Sequence, residues 1–286
     1  MGQDNFKIAL IQNQIQPIKE DNLKRARRLL DQAAREGAGL AVLPELFDAP
    51  YDASDFIPLA DPLPQGPTGT MLAEAASVHG MHVAGSMVEL GEDGRAYNAG
   101  FIFDSQGELI HKHRKIHLYD VDIPGGIRFM ESDFFGAGES YGAVETELCT
   151  LGMVVCHDLR FCELFRPQVL GGAELIIVPA AFNLTSGPAH WEILIRTRAM
   201  ENTVYLAACG GAPHPGIDYP YWGHSTLVDP YGNITAQAKG REEEIVYAEF
   251  DRKRLQEVRA ALPVLKQRRP EIYARHWNEF GNKKQK

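Results

Sequence analysis

The sequence lacks any run of about eighteen consecutive apolar residues, the length that a helix needs to cross a bilayer, and so predicts no membrane span. Its first residues lack the basic region and apolar core of a secretory signal, and we expect a cytoplasmic protein. Cysteine is scarce, with four in 286 residues and no C-x-x-C pair. That usage favours a reducing compartment over a disulfide framework.

Several catalytic signatures are absent as well. No glycine-rich phosphate loop of the G-x-x-x-x-G-K or G-x-G-x-x-G type follows a predicted strand, so we expect no nucleotide cofactor. No G-x-S-x-G elbow occurs, which argues against a serine hydrolase that uses one. Three histidines, His111, His113 and His117, raise the alternative of a zinc hydrolase, but the sequence specifies no fourth ligand. We therefore expect no metal.

Positive charge is in deficit, with 29 lysines and arginines against 38 acidic residues and a net charge of −9. This balance argues against a nucleic-acid-binding surface, although one local cation can still bind an anionic substrate. Hydrophobic residues make up 44% of the chain, an ordinary share for a globular protein with a large core. Since composition changes nowhere abruptly, we expect one domain over residues 1–286.

Hydrophobic periodicity predicts a mixed α/β fold, because apolar strand patterns alternate with helical patterns in some regions and form hairpins in others. The predicted strands are 6–12, 40–43, 81–90, 98–103, 109–113, 151–155, 174–179, 204–209, 225–229, 233–238 and 245–250. The predicted helices are 21–36, 70–79, 161–170, 189–201 and 252–261. Residues 48–67 and 118–140 are predicted to be loops.

The apolar run 151–155 changes abruptly into Cys156-His157-Asp158-Leu159-Arg160. Open α/β folds place ligands just beyond the carboxyl ends of buried strands, where Cys156 would be a useful nucleophile. The alternative is that Cys156 packs as a small hydrophobe, as buried cysteines commonly do. We assign the other three cysteines, Cys149, Cys162 and Cys209, to packing.

Two more reactive groups follow predicted strands. Glu45 comes after 40–43, and Lys115 comes after 109–113. A buried glutamate is a suitable base for a thiol, and a lysine ammonium lowers a thiol pKa and stabilises an oxyanion. The alternatives are that Glu45 caps the next segment or pairs with an arginine, and that Lys115 is simply solvated.

Taken together, three segments resemble the nitrilase, or carbon–nitrogen hydrolase, superfamily. They are Pro44-Glu45-Leu46, His113-Arg-Lys115-Ile-His-Leu118 and Val155-Cys156-His-Asp-Leu-Arg-Phe161. Further segments resemble its Nit2-like ω-amidase branch, namely 182–192, 196–199, 222–225 and 229–232. The resemblance implies that Glu45 is the general base, Lys115 stabilises the oxyanion and Cys156 is the nucleophile. It also implies that Glu131 helps position the substrate and Lys115.

The same resemblance implies an αββα sandwich, with mixed sheets and helices on the outer faces, that dimerises and uses neither a metal nor an organic cofactor. The implied reaction is hydrolysis of a small ω-amide of a dicarboxylic keto acid, such as 2-oxoglutaramate or 2-oxosuccinamate, through a cysteine thioester. The basic tail from about residue 263 to residue 286 is predicted to pack on a partner subunit.

Four residues are predicted to contact the substrate. His157 stands where the ω-amidase branch is expected to have Tyr, and its backbone N–H would serve as an oxyanion donor. Arg160 is predicted to bind the substrate carboxylate, the alternative being a structural ion pair with Asp158 or Glu163. Asn183 and Thr185 are predicted to line the pocket.

Other readings remain open at this point. Within the superfamily they are an amidase for deaminated glutathione, an N-carbamoyl amidase and a nitrilase proper. Outside it, the chain would be a non-catalytic interaction protein that keeps the fold. The presence of Glu45, Lys115, Glu131 and Cys156 together favours an enzyme.

Overall fold

The computed structural model describes residues 2–52, 55–122 and 128–277. Within these ranges, two six-stranded sheets stack face to face. The first sheet contains, in spatial order, β14 (Glu244–Asp251), β1 (Asn5–Gln12), β2 (Leu40–Val42), β3 (His82–Leu90), β4 (Ala96–Phe103) and β5 (Leu109–Arg114). The second contains β13 (Ile234–Gln237), β12 (Thr226–Val228), β11 (Tyr205–Gly210), β10 (Leu175–Ala180), β9 (Thr150–Met153) and β8 (Ala143–Glu145).

Helices cover the outer face of each sheet. The α-helices of the described ranges are α1 (Lys19–Arg35), α2 (Phe56–Leu59), α3 (Pro67–His79), α4 (Phe165–Leu170), α5 (Gly187–Asn202), α6 (Arg252–Ala261) and α7 (Pro270–His276). The apolar faces of α1 and α3 pack on the first sheet, and those of α4 and α5 pack on the second. The layers therefore run helix, sheet, sheet, helix, which confirms the predicted αββα sandwich. No helix in the described ranges is both long and apolar enough to span a membrane.

The central strands of both sheets are parallel, as in β1–β2–β3 and β9–β10–β11. Parallel strands that are covered on both faces become continuous apolar runs, and every residue of β10 is buried. The two sheets are in close contact at Gly100. A Cβ added to Gly100 of β4 would lie 2.5 Å from Sδ of Met153 in β9.

The predicted loops at 48–67 and 118–140 are wrong in part. The first contains α2, and the second contains an antiparallel ribbon of β6 (Asp120–Asp122) and β7 (Arg128–Met130), followed by a 3-10 helix at Glu131–Asp133. Elements of three or four residues are too short to show a hydrophobic period. The predicted helix 161–170 is also shorter, because a 3-10 helix at Cys162–Leu164 precedes α4.

The cysteine assignments hold for two of three residues. Cys149 and Cys209 are buried in the core between the sheets, as predicted. Cys162 is exposed, so its assignment to packing is wrong. Its position at the start of a surface 3-10 helix, rather than within a strand, explains the difference.

Candidate active site

The loops that follow β2, β5 and β9 bring the predicted reactive groups together. Glu45 and Lys115 are completely buried, and Cys156 is 7% exposed. The ammonium of Lys115 lies 2.8 Å from Oε1 of Glu45. Because β2 and β5 belong to one sheet and β9 to the other, the cluster lies where the ends of both sheets meet.

Glu45 lies in a tight turn directly after β2. The next residue, Leu46, has a φ of 48°, and its backbone N–H donates to Oγ of Ser86 at 3.0 Å. One carboxylate oxygen of Glu45, Oε1, accepts hydrogen bonds from Lys115. The other oxygen, Oε2, is buried and has no hydrogen-bond partner among the described residues. It is therefore free to accept a proton.

Glu131 completes the surroundings of Lys115. Its oxygens lie 3.0 Å and 2.8 Å from Nζ of Lys115, and one of them also accepts the backbone N–H of Tyr119. Burial alone would lower the pKa of Lys115, but the negative charges of Glu131 and Glu45 raise it well above its usual value. Lys115 is thus a permanent cation. Burial raises the pKa of Glu131, and the charge of Lys115 opposes that shift.

Asn98 connects the two glutamates, and the sequence analysis missed it. Its Nδ2 donates to Oε1 of Glu45 at 2.7 Å and to Oε1 of Glu131 at 3.2 Å. Its Oδ1 accepts from the hydroxyl of Ser86 at 3.0 Å. The available signal was a lone amide in the apolar strand β4, since a buried polar group needs partners.

Cys156 begins a 3-10 helix, Cys156–Arg160, with a left-handed φ of 44°. Burial raises the pKa of its thiol well above the usual value, the charge of Glu45 raises it further, and the charge of Lys115 opposes both. The resting group is therefore a thiol. Because the first N–H groups of a helix have no intrahelical acceptor, the N–H of His157 is available as a donor.

A small aromatic pocket opens above the thiol. Its lining residues are Tyr51, Tyr119, Cys156, His157, Arg160, Ala181, Phe182, Asn183, Ser186 and Tyr219. A wider outer cleft shares four of these residues and is bordered by residues 216–220. The aromatic walls were also missed, because isolated Tyr and Phe residues in loops carry no periodic signal.

The structure places three of the four predicted substrate contacts in this pocket. His157, Arg160 and Asn183 line it, whereas Thr185 is exposed and lies outside the lining. The backbone N–H of Thr185 instead donates to Oδ1 of Asn183 at 3.0 Å. Burial and the nearby charge of Lys115 lower the pKa of His157 to about 4, so its ring is neutral at neutral pH.

Arg160 has no carboxylate partner within the described ranges. Its guanidinium lies 3.3 Å from Nδ1 of His190 and 5.5 Å from the ring centre of Phe182. The alternative ion pair with Asp158 is contradicted, because His113 and His117 occupy both oxygens of that carboxylate. The alternative pair with Glu163 does not form either. The structure therefore leaves a cation at the wall of the pocket.

The three histidines of the zinc alternative do not converge on one point. His113 and His117 contact Asp158, whereas His111 is largely buried and its Nε2 has no hydrogen-bond partner in the part of the chain described. No group of three or more potential metal ligands lies together in residues 2–52, 55–122 and 128–277.

Comparison with known proteins agrees with the fold. Nit3 of Saccharomyces cerevisiae, a member of branch 10 of the nitrilase superfamily, superposes with a TM-score of 0.85 at 36% identity, covering 93% of this chain and 97% of that one. The fold and the buried glutamate, lysine and cysteine thus define a nitrilase-superfamily protein. The chain belongs to the carbon-nitrogen hydrolase family, whose model matches residues 7–260.

Individual relatives are similar over nearly their whole length. "Omega-amidase NIT2" of Mus musculus is 42% identical over 268 residues, which covers 94% of this chain and 96% of the relative. "Omega-amidase NIT2" of Homo sapiens is 42% identical over 270 residues, covering 94% of this chain and 97% of the relative.

Proposed function

We propose that the protein is an ω-amidase, which hydrolyses the terminal amide of small dicarboxylic keto-acid monoamides to the acid and ammonia. The substrates proposed are 2-oxoglutaramate and 2-oxosuccinamate. The observation that carries the proposal is the buried cluster of Glu45, Lys115 and Glu131 beside Cys156, below a small pocket whose arginine has no carboxylate partner in the described ranges. The similarity to relatives named as ω-amidases supports this choice of amide.

The proposed reaction proceeds through a thioester. Glu45 takes the Cys156 proton, and Sγ attacks the amide carbonyl carbon. Lys115 and the N–H of His157 stabilise the oxyanion, a contribution worth about 100-fold or more in rate for each donor. Glu45 then returns the proton to the nitrogen, the C–N bond breaks and ammonia leaves. Water activated by Glu45 attacks the thioester, the C–S bond breaks and the thiol recovers its proton.

The high thiol pKa fits this sequence of steps. Burial, and after it the charge of Glu45, raise the pKa of the thiol, so Cys156 keeps its proton until a substrate carbonyl arrives. A thiol with a raised pKa reacts more slowly with other electrophiles than a thiolate would. We assign to Glu131 and Asn98 the role of holding Lys115 and Glu45 in place.

The decisive experiment measures ammonia release from 2-oxoglutaramate, deaminated glutathione and β-ureidopropionate by wild type and Cys156→Ala. Clear preference for 2-oxoglutaramate, abolished in the variant, is the expected result. Preference for another of the amides would overturn the substrate and keep the chemistry. Activity that survives Cys156→Ala would overturn the thioester mechanism, and no activity on any amide would favour a non-catalytic interaction protein.

We propose that Arg160 binds the substrate carboxylate. Because a hydrogen bond to a charged group contributes about 1.5–3 kcal/mol, Arg160→Gln should raise KM for 2-oxoglutaramate by roughly tenfold to hundredfold. Butyramide has no carboxylate for Arg160 to bind. Its hydrolysis should therefore change by less than about threefold. Arg128→Gln, at the rim of the outer cleft, is the matched control. Equal losses on both amides would contradict the assignment.

We also propose a cytoplasmic homodimer with one catalytic domain in each chain. The four cysteines are all unpaired, as is usual in a reducing compartment. The C-terminal tail presents exposed aromatic side chains to a partner subunit, Tyr273 and Trp277.

A further inference from the structure

Asp158 is a completely buried carboxylate that the proposed reaction does not use. Its Oδ2 accepts the backbone N–H of Val155 at 3.2 Å and lies 2.9 Å from Nε2 of His113. Its Oδ1 accepts the backbone N–H of His117 at 2.9 Å and lies 2.8 Å from Nδ1 of the same residue. One carboxylate therefore joins two segments that are distant in the sequence.

These two segments carry the proposed nucleophile and the proposed oxyanion cation. Lys115 lies midway between His113 and His117, and Cys156 lies between Val155 and Asp158. Relying on the proposed roles of Cys156 and Lys115, we infer that Asp158 is a positioning residue that fixes Sγ of the nucleophile relative to Nζ of the lysine.

The donors of this network follow from the carboxylate. Because ionised Asp158 only accepts, Nε2 of His113 and Nδ1 of His117 are the donors to it. The ring of His117 stacks on Phe161 with the centroids 3.5 Å apart and the planes 6° apart, which fixes its direction. Burial would raise the pKa of Asp158, but the hydrogen bonds from His113 and His117 hold it well below its usual range. The acceptor is thus ionised at any working pH.

The backbone at Cys156 explains why such a restraint is needed. A φ of 44° is unfavourable for a residue with a side chain and persists only where surrounding contacts impose it. The bond from Val155 to Asp158 closes the turn on itself, and the bonds from His113 and His117 attach it to the lysine segment. Without the carboxylate, the turn and the lysine segment would lose their common acceptor.

The test compares His117→Leu with His117→Asn. Both variants keep the backbone N–H bond and lose the stacking on Phe161, but only Asn retains a side-chain N–H donor at the δ position. The readout is alkylation of Cys156 by iodoacetamide, followed by mass spectrometry, which needs no substrate. A displaced Lys115 would lower the thiolate fraction of Cys156, so His117→Leu should slow alkylation about tenfold. His117→Asn should recover most of that loss.

Asp158→Asn provides the second variant. Its kcat for the preferred amide should fall about 100-fold with KM within about threefold, because a displaced oxyanion donor acts in the transition state. Unlabelled Cys149 and Cys209, both buried, report that each variant is folded. If Asp158→Asn does not fold, the comparison of His117→Leu with His117→Asn still tests the inference.

Equal alkylation rates for His117→Leu and His117→Asn, or faster alkylation in either, would overturn the inference. Equal losses of kcat and affinity in Asp158→Asn would also overturn it. Failure of the proposed function is distinguishable, since a wild type that hydrolyses no amide still allows the alkylation comparison.

Discussion

At the scale of single residues, Lys115 shows how a completely buried ammonium remains charged. Removing an ammonium from water costs several kcal/mol, which only close and well-placed counter-charges offset. Oxygens of Glu45 and Glu131 at 2.8–3.0 Å provide them. Burial, and after it the charge of Glu45, raise the pKa of the adjacent Cys156 thiol and keep it protonated. The same buried site thus keeps Lys115 charged and Cys156 protonated.

Asn98 provides a test of this cluster. Asn98→Leu removes the donor shared by Glu45 and Glu131 and leaves the Ser86 hydroxyl without its acceptor. This variant should lower kcat at least about tenfold. Unpaired buried groups should also reduce the free energy of unfolding by about 1–3 kcal/mol. Steady-state kinetics and urea unfolding measure the two effects. Ser86→Ala keeps the hydrogen bonds from the Asn98 amide to both carboxylates, so it should show a clearly smaller loss of kcat. Equal losses in the two variants would contradict the assignment.

At the scale of elements, β5 and the residue that follows it place three titratable groups on one face. The third of these groups is the lysine, directly after the strand. His111, His113 and Lys115 are separated by two residues each, the period of a strand. Only the last two point to partners that the proposed chemistry requires, Asp158 and the two glutamates. His111 is left as a buried imidazole with an unpaired Nε2 within the described chain.

The buried imidazole of His111 should make stability depend on pH. Burial lowers the pKa of His111 to about 4, whereas the unfolded value is about 6.5. Because the unfolded state binds the proton first, stability is lost as the pH falls from about 6.5 toward 4. Between pH 7 and pH 5 the wild type loses free energy of unfolding, and His111→Leu should reduce that loss by about 2 kcal/mol. Urea unfolding at both values measures it, and an unchanged loss in the variant would disprove the assignment.

The elements also show why the sequence predicted one part of the site and missed another. Glu45 and Cys156 follow apolar strands, and Lys115 follows β5, so a reactive residue just beyond each strand is visible in the sequence. Asn98 lies inside a strand, where its partners depend on how the two glutamate loops fold back. The β6–β7 ribbon, which precedes Glu131, has three-residue strands without a recognisable period. Such features depend on tertiary contacts alone.

At the scale of the whole molecule, the site exists only when both sheets are docked. Glu45 and Lys115 come from the first sheet, and Cys156 comes from the second. The close approach at Gly100 and the apolar core between the sheets fix their separation. Since folded cores are close-packed, this separation is rigid, which suits chemistry that depends on accurate placement of Sγ.

The C-terminal tail leads to a prediction on assembly. None of the α7 side chains is buried in the described chain, and a helix of seven residues is not stable alone in water. Tyr273 and Trp277 are 50% and 55% exposed. Aromatic residues of this kind are frequent anchors of protein interfaces. We therefore expect α7 to pack on a second copy of the chain.

Light scattering of the full chain at micromolar concentration should give about twice 31.8 kDa. Replacing Tyr273 and Trp277 together by Ser should weaken the dimer at least about tenfold, since interface aromatics each contribute more than about 1 kcal/mol. Val78→Ser, on the exposed face of α3, removes exposed apolar surface elsewhere and is the control. A monomeric mass for the unmodified chain would refute the dimer. A dimer equally stable in the double variant would refute the role of the tail, because the contact must then lie on another surface.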